Sequence, residues 1–303
     1  ALLFKIKENF EGRLNRLFPE PMASFEAGLL TGSRKGIPEE LMQNFNITGL
    51  THIIAISGYN ISLIIFFISS LLKKSSRRLK VPAIIIMIVL FTIFVGASAA
   101  VVRASVMGII SVLAMWFGRQ SEIINALLLS AFIMVFYNPF ILLYDVGFQL
   151  SFLATLGLII TGNSFNRFFS FFFLVFGLRE AFAMTFSAQV FALPVILANF
   201  KRLSVISPVA NIFVVPVIPF AMLFGFCSVI LSYFNHYFGM LFMFPAWLVL
   251  KYCISVTEIL AGLPWASYEV SWFNGYMVLI YFAVFILLAY FVYPYSGNFF
   301  RRI

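Results

Sequence analysis

The sequence is poor in the residues that bind metals and form disulfides. It has two cysteines and two histidines in 303 residues. Cys227 and Cys253 lie alone within apolar segments, without CxxC spacing, which favours buried thiols over a disulfide or a metal site. Two imidazoles supply a zinc centre poorly. We therefore predict that the chain binds no metal and needs no cofactor.

Charge is also scarce. Charged residues make up 10% of the chain and hydrophobic residues 62%, which is too apolar for a soluble globule. Apolar stretches of roughly 20 residues, enough for a helix to cross about 30 Å of hydrocarbon, recur from residue 50 to residue 294. They do not alternate with polar residues as outer-membrane strands do. We predict an all-α, polytopic integral membrane helical bundle with about 8–10 apolar segments, some of them broken or re-entrant.

The first part of the chain differs from the rest in charge. Residues 1–49 carry six basic and six acidic side chains, so the net charge of +9 comes from residues 50–303. Four apolar residues in this part are spaced four apart and form one stripe on a helix: Ile6, Phe10, Leu14 and Phe18. We predict amphipathic interfacial and juxtamembrane helices over residues 1–49 and a transmembrane domain over residues 50–303.

Basic residues indicate the orientation. Five of them crowd one short loop: Lys73, Lys74, Arg77, Arg78 and Lys80. The positive-inside rule places this loop, and with it Arg301 and Arg302, in the cytoplasm. Lys201 and Arg202 then fall outside, against the rule. The loop either marks topology alone or forms a basic vestibule for an anionic polymer.

The first predicted crossing, residues 50–72, is interrupted by polar residues. His52 and Asn60 share a helix face, with Ser57 beside it, and Gly58 removes a side chain there. The helix can unwind at this point, or a neighbouring helix can cross closely. A pore or gate and a plain contact through small residues remain equal alternatives.

Arg103 follows a run of small residues within an apolar region. A charge at mid-depth of a membrane costs about 2.5–3.5 kcal/mol on insertion scales. Arg103 therefore marks the turn of a hairpin or faces a wet cavity. Asp145 and Gln149 are i, i+4 neighbours, and Asp145 is a candidate partner for Arg103 because acids are rare in this region.

Two further segments depart from simple crossings. Pro208, Pro216 and Pro219 prevent an unbroken helix around Asn211, and Gln189 lies in the crossing before it. The stretch SFNRFFSFFFLVFGLR, residues 164–179, predicts a separate interfacial helix.

Several segments, in this order, resemble the ComEC-type competence family. They are GLLTGSRKGIPEELMQNFNITGLTHIIAISGYNISL, then VVRAS, then NPF followed by DVGFQLSFLATLG, then AQVFALP and SPVANIFVVPVIP. The resemblance covers about residues 25–265. Asn60 stands where family members often have histidine, so a role that depends on imidazole chemistry is in doubt while a hydrogen-bonding role is kept.

The resemblance implies a membrane channel that imports single-stranded DNA across the cytoplasmic membrane of a prokaryote during natural transformation. It implies single-stranded DNA, the lipid bilayer, a DNA receptor and a cytoplasmic DNA motor as partners, and leaves a homo-oligomer open. Many relatives also carry an OB-fold domain and a metallo-β-lactamase-like domain. No HxHxDH metal motif occurs in this sequence, so the chain is not expected to be a nuclease.

Nine residues are candidates for lining or gating a path through the bundle: His52, Ser57, Gly58, Asn60, Arg103, Asp145, Gln149, Gln189 and Asn211. A secondary transporter of a small solute would also use broken helices, but it should show inverted repeats, and no matching halves are evident. An intramembrane enzyme would need a set such as Ser57, His52 and Asp145. Ser57 and His52 point in different directions on a helix, so we predict that the chain is not an enzyme.

Overall fold

Helices make up nearly all of the regular structure of the protein. A computed structural model describes residues 2–54, 58–117, 123–170 and 177–292. The first nine helices are α1 (Leu2–Leu17), α2 (Met22–Thr31), α3 (Glu39–Thr48), α4 (Thr51–Ile54), α5 (Gly58–Leu71), α6 (Arg77–Val95), α7 (Ala99–Trp116), α8 (Ile123–Tyr137) and α9 (Ile141–Tyr144). The remaining six are α10 (Val146–Phe169), α11 (Leu178–Phe200), α12 (Ser207–Val214), α13 (Ile218–Ser232), α14 (His236–Ala261) and α15 (Gly275–Val292). Two short strands are β1 (Arg202–Ser204) and β2 (Ser267–Glu269).

Five of the described helical segments are long and apolar enough to cross a membrane. They are α6, α10, α11, the segment Ser207–Ser232 that contains α12 and α13, and α14. Four shorter apolar helices, within α5, α7, α8 and α15, accompany them. The prediction of an all-α membrane bundle is confirmed, and the described apolar segments fall within the predicted range.

The first three helices pack against the last part of the chain. Phe10, Leu14 and Phe18 of the predicted stripe are buried in one core with residues of α12, α13 and α14, whereas Ile6 is 48% exposed. The apolar stripe of α1 therefore faces protein over most of its length. The buried core includes residues on both sides of residue 49. The domain boundary at this residue stays a prediction.

The helix α2 is the most enclosed of these three. Every residue from Ala23 to Thr31 is buried. The Phe25 ring contacts the Phe45 ring of α3 at 5.1 Å between centroids, and Gly28 lies against Ile54 of α4. Close packing of this kind needs a small residue at the crossing point, which Gly28 supplies.

The prolines predicted to break the helix around Asn211 do so. The helix α12 ends at Val214, a single 3₁₀ turn covers Val215–Val217, and α13 begins at Ile218. Pro208, Pro216 and Pro219 each lie in the first positions of one of these elements, where the missing N–H costs no internal hydrogen bond.

Two hairpins form the middle of the chain. The helices α6 and α7 are joined by a turn at Gly96 and Ala97, both with positive φ, so this turn and not Arg103 reverses the chain. The helices α10 and α11 pack closely because Gly157 lies directly against the Ser187 carbonyl. Residues Ser164–Phe169 continue α10, so the separate interfacial helix predicted to begin there is wrong.

The strands β1 and β2 form an antiparallel ribbon that the sequence did not predict. Leu203 pairs with Tyr268, and Arg202 forms an ion pair of 3.0 Å with Glu269. The Lys201 ammonium donates to the Phe273 carbonyl. The two basic residues that contradicted the positive-inside count therefore have partners in the ribbon and just after it.

Candidate functional site

Arg103 lies at a junction of several helices that contains polar side chains. It lies in the second turn of α7, a helix that packs against α5, α6, α8 and α10. Ser105, two residues later, is buried and lies 2.6 Å from the Thr92 hydroxyl of α6. This hydrogen bond fixes α7 against α6 and so helps to set the direction of Arg103.

The Arg103 guanidinium reaches across to α10. Its Nη1 donates to Thr155 Oγ1 at 2.9 Å and lies 3.5 Å from Met107 Sδ on its own helix. The Thr155 hydroxyl proton points elsewhere, because Oγ1 donates to the Ser151 carbonyl at 2.9 Å. The guanidinium carbon also lies 5.9 Å from the centre of the Phe152 ring, within range of a cation–π contact.

The third side of the junction is Gly58 at the start of α5. A Cβ built on Gly58 would lie 3.6 Å from Ala104 Cβ and 3.8 Å from Arg103 Nη2. A larger side chain would occupy the space next to the guanidinium. The absence of a side chain at Gly58 therefore leaves room around Arg103.

Arg103 has one enclosed donor that the described residues leave without an acceptor. A guanidinium carries five N–H donors, and Arg103 Nε is enclosed without a hydrogen-bond partner in the described ranges. A buried donor without an acceptor costs free energy, so this group favours any additional acceptor that reaches it. Oxygen-rich anions such as phosphates match the planar fork of a guanidinium.

Two other predicted residues lie near this junction in sequence. Asn60 is 7% exposed and stands two residues after Gly58 on α5. Ser57 lies outside the described residues. His52 is exposed on α4, and its Nδ1 lies 2.9 Å from the Gly49 carbonyl, a contact within the same short connection.

The predicted pair of Asp145 and Arg103 does not form. Asp145 instead caps α10, where its Oδ1 accepts from the Phe148 amide at 2.9 Å. Thr155, the actual partner of Arg103, is ten residues further along α10, about 15 Å at a rise of about 1.5 Å per residue. Asp145 thus accepts a local capping hydrogen bond and does not form the predicted ion pair with Arg103.

Gln149 also serves the local structure at the start of α10. Its Nε2 donates to the carbonyls of Leu142 and Leu143 at 3.0 Å each, which satisfies the end of α9. Asp145 lines an open recess of about 360 Å³ beside Phe140 and Tyr144. This recess lies at the start of α10 and is separate from the Arg103 junction.

The structure does not join the last two predicted residues to Arg103. Gln189 is half-buried on α11, and Asn211 is half-buried on α12, where its Oδ1 is enclosed without a partner among the described residues. Within those residues neither side chain shares a hydrogen bond with the guanidinium. The eight predicted residues that the structure describes therefore divide into an Arg103 junction and several local sites.

Comparison with known proteins identifies the family of this chain. The family model described as "Competence protein" matches residues 29–294, which is most of the chain. The chain belongs to the competence protein family. No solved structure matches it.

One curated relative of this competence-family chain is ComE operon protein 3 of Bacillus subtilis (strain 168). The two are 27% identical over 236 residues, which cover 75% of this chain and 29% of the relative. The chain therefore spans less than a third of the length of that protein.

Glu26 of the competence-family chain was missed by the sequence reasoning. Its side chain is 0% exposed, and neither carboxylate oxygen has a hydrogen-bond partner within the described ranges. Burial raises the pKa of the Glu26 carboxyl well above its usual range. The available signal was an acid within the run SFEAGLL, in the part of the chain predicted to form interfacial and juxtamembrane helices.

Proposed function

We propose that this chain forms a membrane channel that imports single-stranded DNA across the cytoplasmic membrane during natural transformation. The family supports a role in competence, and the long apolar helices support a location in a membrane. The match covers only 29% of the curated relative, so the DNA-import activity of this chain is itself part of the proposal.

The observation that carries the proposal is the Arg103 junction. It places a guanidinium, whose Nε has no acceptor among the described residues, between three helices of a bundle that is otherwise rich in apolar residues. A charged group in such surroundings faces partners or water, and it marks a path for polar or ionic substrates more often than a structural position. Single-stranded DNA presents one phosphate per nucleotide, which a guanidinium can bind through two parallel hydrogen bonds.

Interrupted helices support the same function. The 3₁₀ turn at Val215–Val217 interrupts a segment long enough to span a membrane. Non-helical backbone at membrane depth is tolerated against protein or a water-filled path. A polymer that moves through the bundle needs such backbone and small residues along its way.

We further propose a multi-pass orientation with the basic loop in the cytoplasm. Lys73 and Lys74 are exposed between α5 and α6, and Arg78 is exposed on the first turn of α6. Cytoplasmic loops carry an excess of such residues. In this orientation the ribbon of β1 and β2 lies at the outer end. Incoming DNA would meet a DNA receptor there and a DNA motor at the cytoplasmic side.

The proposal also holds that the chain conducts DNA without a reaction on it. A conduit needs no nucleophile, so Ser57→Ala should retain most of the uptake even though Ser57 is a candidate for lining the path. Complete loss of uptake in a well-inserted Ser57→Ala protein would favour an intramembrane enzyme instead.

The decisive experiment measures fluorescent DNA that reaches the cytoplasm of the native cells. The gene is deleted and then restored as wild type, Arg103→Gln or Arg202→Gln, with membrane levels checked for each. We expect deletion to abolish uptake, and Arg103→Gln to lower it by at least about tenfold, since a charge-assisted hydrogen bond contributes about 1.5–3 kcal/mol.

The matched control is Arg202→Gln, which removes an arginine from an exposed ion pair and should retain uptake. Uptake that is unaffected by deletion would overturn the DNA proposal and place the small-solute transporter first. Loss with both arginine variants would show a general effect of positive charge and not a role of the junction.

A further inference from the structure

Glu26 occupies a position in which an ionised carboxylate has nothing to compensate it. It lies in α2 among the buried residues that α1–α3 share with α12–α14. Both carboxylate oxygens are enclosed without hydrogen bonds, and no cation of the described chain lies within ion-pair distance of it. Isolated charges in such surroundings cost so much free energy that the group binds a proton instead.

The opposing helix leaves a space for this carboxyl. Gly225 of α13 faces it, and a methyl group built on Gly225 would overlap Glu26 Oε1. The buried Cys253 of α14 belongs to the same apolar core. Because Gly225 has no side chain, the Glu26 carboxyl can lie directly against α13.

The charged and titratable groups on the neighbouring elements do not reach the carboxyl. On α1, Lys7 and Glu11 bind Thr31, more than a turn further along α2. On α13 and α14 the titratable residues nearest in sequence to the contact are thiols, Cys227 and Cys253. The other titratable groups of α3, α4 and α14 are exposed: Glu39, Glu40, His52, His236, Tyr237, Lys251, Tyr252 and Glu258. On α1, Arg13 donates to the Ser232 carbonyl, and Lys5, Glu8 and Arg16 are exposed.

The helix that carries Glu26 is bounded by a turn at each end. It has ten residues, Pro21 precedes it, and Gly32 in a left-handed conformation ends it. An exposed loop from Arg34 to Gly36 connects it onward. Since an ionised carboxylate must be hydrated, and since no water can reach Glu26 while α2 is docked, ionisation and undocking of α2 are coupled.

We propose that Glu26 is a proton-binding site that holds α2 against α13 and α14 when it carries the proton and releases α2 when it loses it. The ligand is a proton and not a metal ion, because a single carboxylate among apolar side chains cannot supply the several oxygens that a cation needs. On release the O–H bond breaks and the proton passes to the water that enters beside the undocked helix. This inference concerns proton binding and does not depend on the transported substrate.

The sign of the pH effect follows from the direction of the shift. A folded-state pKa above the unfolded value of about 4.3 means that the contribution of Glu26 to docking is complete below that value. It is lost as the pH rises through the raised folded-state pKa. The α2 helix should therefore open more often at high pH.

Hydrogen exchange of the purified full chain tests this directly. Amide exchange in α2 is compared between wild type and Glu26→Gln, which keeps the shape and cannot ionise, at about pH 5 and about pH 9. Comparison at equal pH removes the intrinsic pH dependence of exchange. We expect equal rates at the lower pH, and at the higher pH an α2 that exchanges at least about tenfold faster in wild type.

The amides of α11 and the variant Glu8→Gln, on the exposed side of α1, serve as controls and should show no such difference. Equal exchange of α2 in wild type and Glu26→Gln at every pH would overturn the proposal. The readout contains no DNA, so its failure is distinct from failure of the channel proposal.

A second measurement covers the case in which Glu26→Gln does not fold. In the wild-type protein alone, the ratio of amide exchange in α2 to amide exchange in α11 removes the intrinsic pH dependence, because both helices belong to the same molecule. This ratio should rise at least about tenfold between about pH 5 and about pH 9. The proposal is wrong if the ratio is the same at both pH values.

Discussion

Glu26 and Arg103 are both ionisable residues in apolar surroundings, and the protein accommodates them in different ways. Glu26 is 0% exposed and has no hydrogen-bond partner among the described residues. Arg103 is half-buried, donates to Thr155 and lies beside the bare Cα of Gly58. One group is enclosed by protein, and the other stands at a junction with an acceptor.

The chemistry of the two side chains explains the difference. A carboxyl can become neutral by binding a proton, so it can be enclosed in a core without a counter-charge. A guanidinium keeps its charge at any physiological pH and needs acceptors or water wherever it lies. The comparison indicates that the two sites respond to different ligands, protons at Glu26 and oxygen-rich anions at Arg103.

The strongest test of this comparison exchanges one type of charge for the other. Glu26→Arg places a group that cannot become neutral in the enclosed site, and we expect a loss of about 3–5 kcal/mol in stability, enough to prevent folding. Size-exclusion chromatography of the detergent-solubilised protein measures this as loss of the monodisperse peak. The control Glu8→Arg changes an exposed acid of α1 and should elute as wild type. A monodisperse Glu26→Arg protein would contradict the enclosed site.

A smaller effect is expected when the space for the carboxyl is filled. Gly225→Ala should lower the free energy of unfolding by about 1–3 kcal/mol, because the new methyl group overlaps Glu26. Gly12→Ala on α1, where nothing lies within 4 Å, should instead stabilise by up to about 1 kcal/mol. Thermal unfolding in detergent measures both.

Truncation of the acid provides the control for the Gly225 prediction. The double variant of Gly225→Ala with Glu26→Ala removes the overlapping atoms and should recover much of the loss, since contacting residues couple. Equal and additive losses from the two substitutions would show that they do not share the contact.

The third effect concerns the acceptor of Arg103. Thr155→Val keeps the shape of the side chain but leaves the guanidinium without its hydrogen bond to α10, which should cost about 1 kcal/mol and lower DNA uptake. Thr161→Val is matched, because both threonines lie on α10 and donate to the carbonyl four residues earlier. Thermal unfolding and uptake should both separate the two variants. Equal behaviour would show that the contact with Arg103 contributes little.

The smallest effect is expected at the exposed end of the molecule. Glu269→Gln breaks the ion pair with Arg202. The Glu269 side chain is 80% exposed and the Arg202 side chain 33%, so the free energy of unfolding should change by about 0–1 kcal/mol. The same change at Glu258, also exposed, is the reference. A loss as large as that of Gly225→Ala would mean that the ribbon contributes more to stability than its ion pair suggests.

Local features of the fold could be predicted from the sequence. Prolines at 208, 216 and 219 give the interrupted helix, since each lacks an N–H and suits the first turn of a new element. The length and composition of the apolar stretches give the membrane helices. These properties depend on residues near one another in the chain.

The sites were predicted less well because they depend on residues far apart in the chain. Glu26 resembles any acid of an amphipathic helix until Gly225 is known to face it. Asp145 was matched to Arg103 because acids are rare there, but a capping hydrogen bond three residues away was closer. Thr155 was not predicted as the partner of Arg103, because a hydroxyl gives no sign in sequence of which helix it meets.

The position of α2 has a practical consequence for anyone who expresses this domain. The family match begins at residue 29, inside a helix whose residues are buried from Ala23 onward. A fragment cut at the start of the match would lose the first part of α2 and all of α1, and would expose the faces of α13 and α14 that they cover. The unit that sequence comparison recognises is thus shorter than the unit that packs as one body.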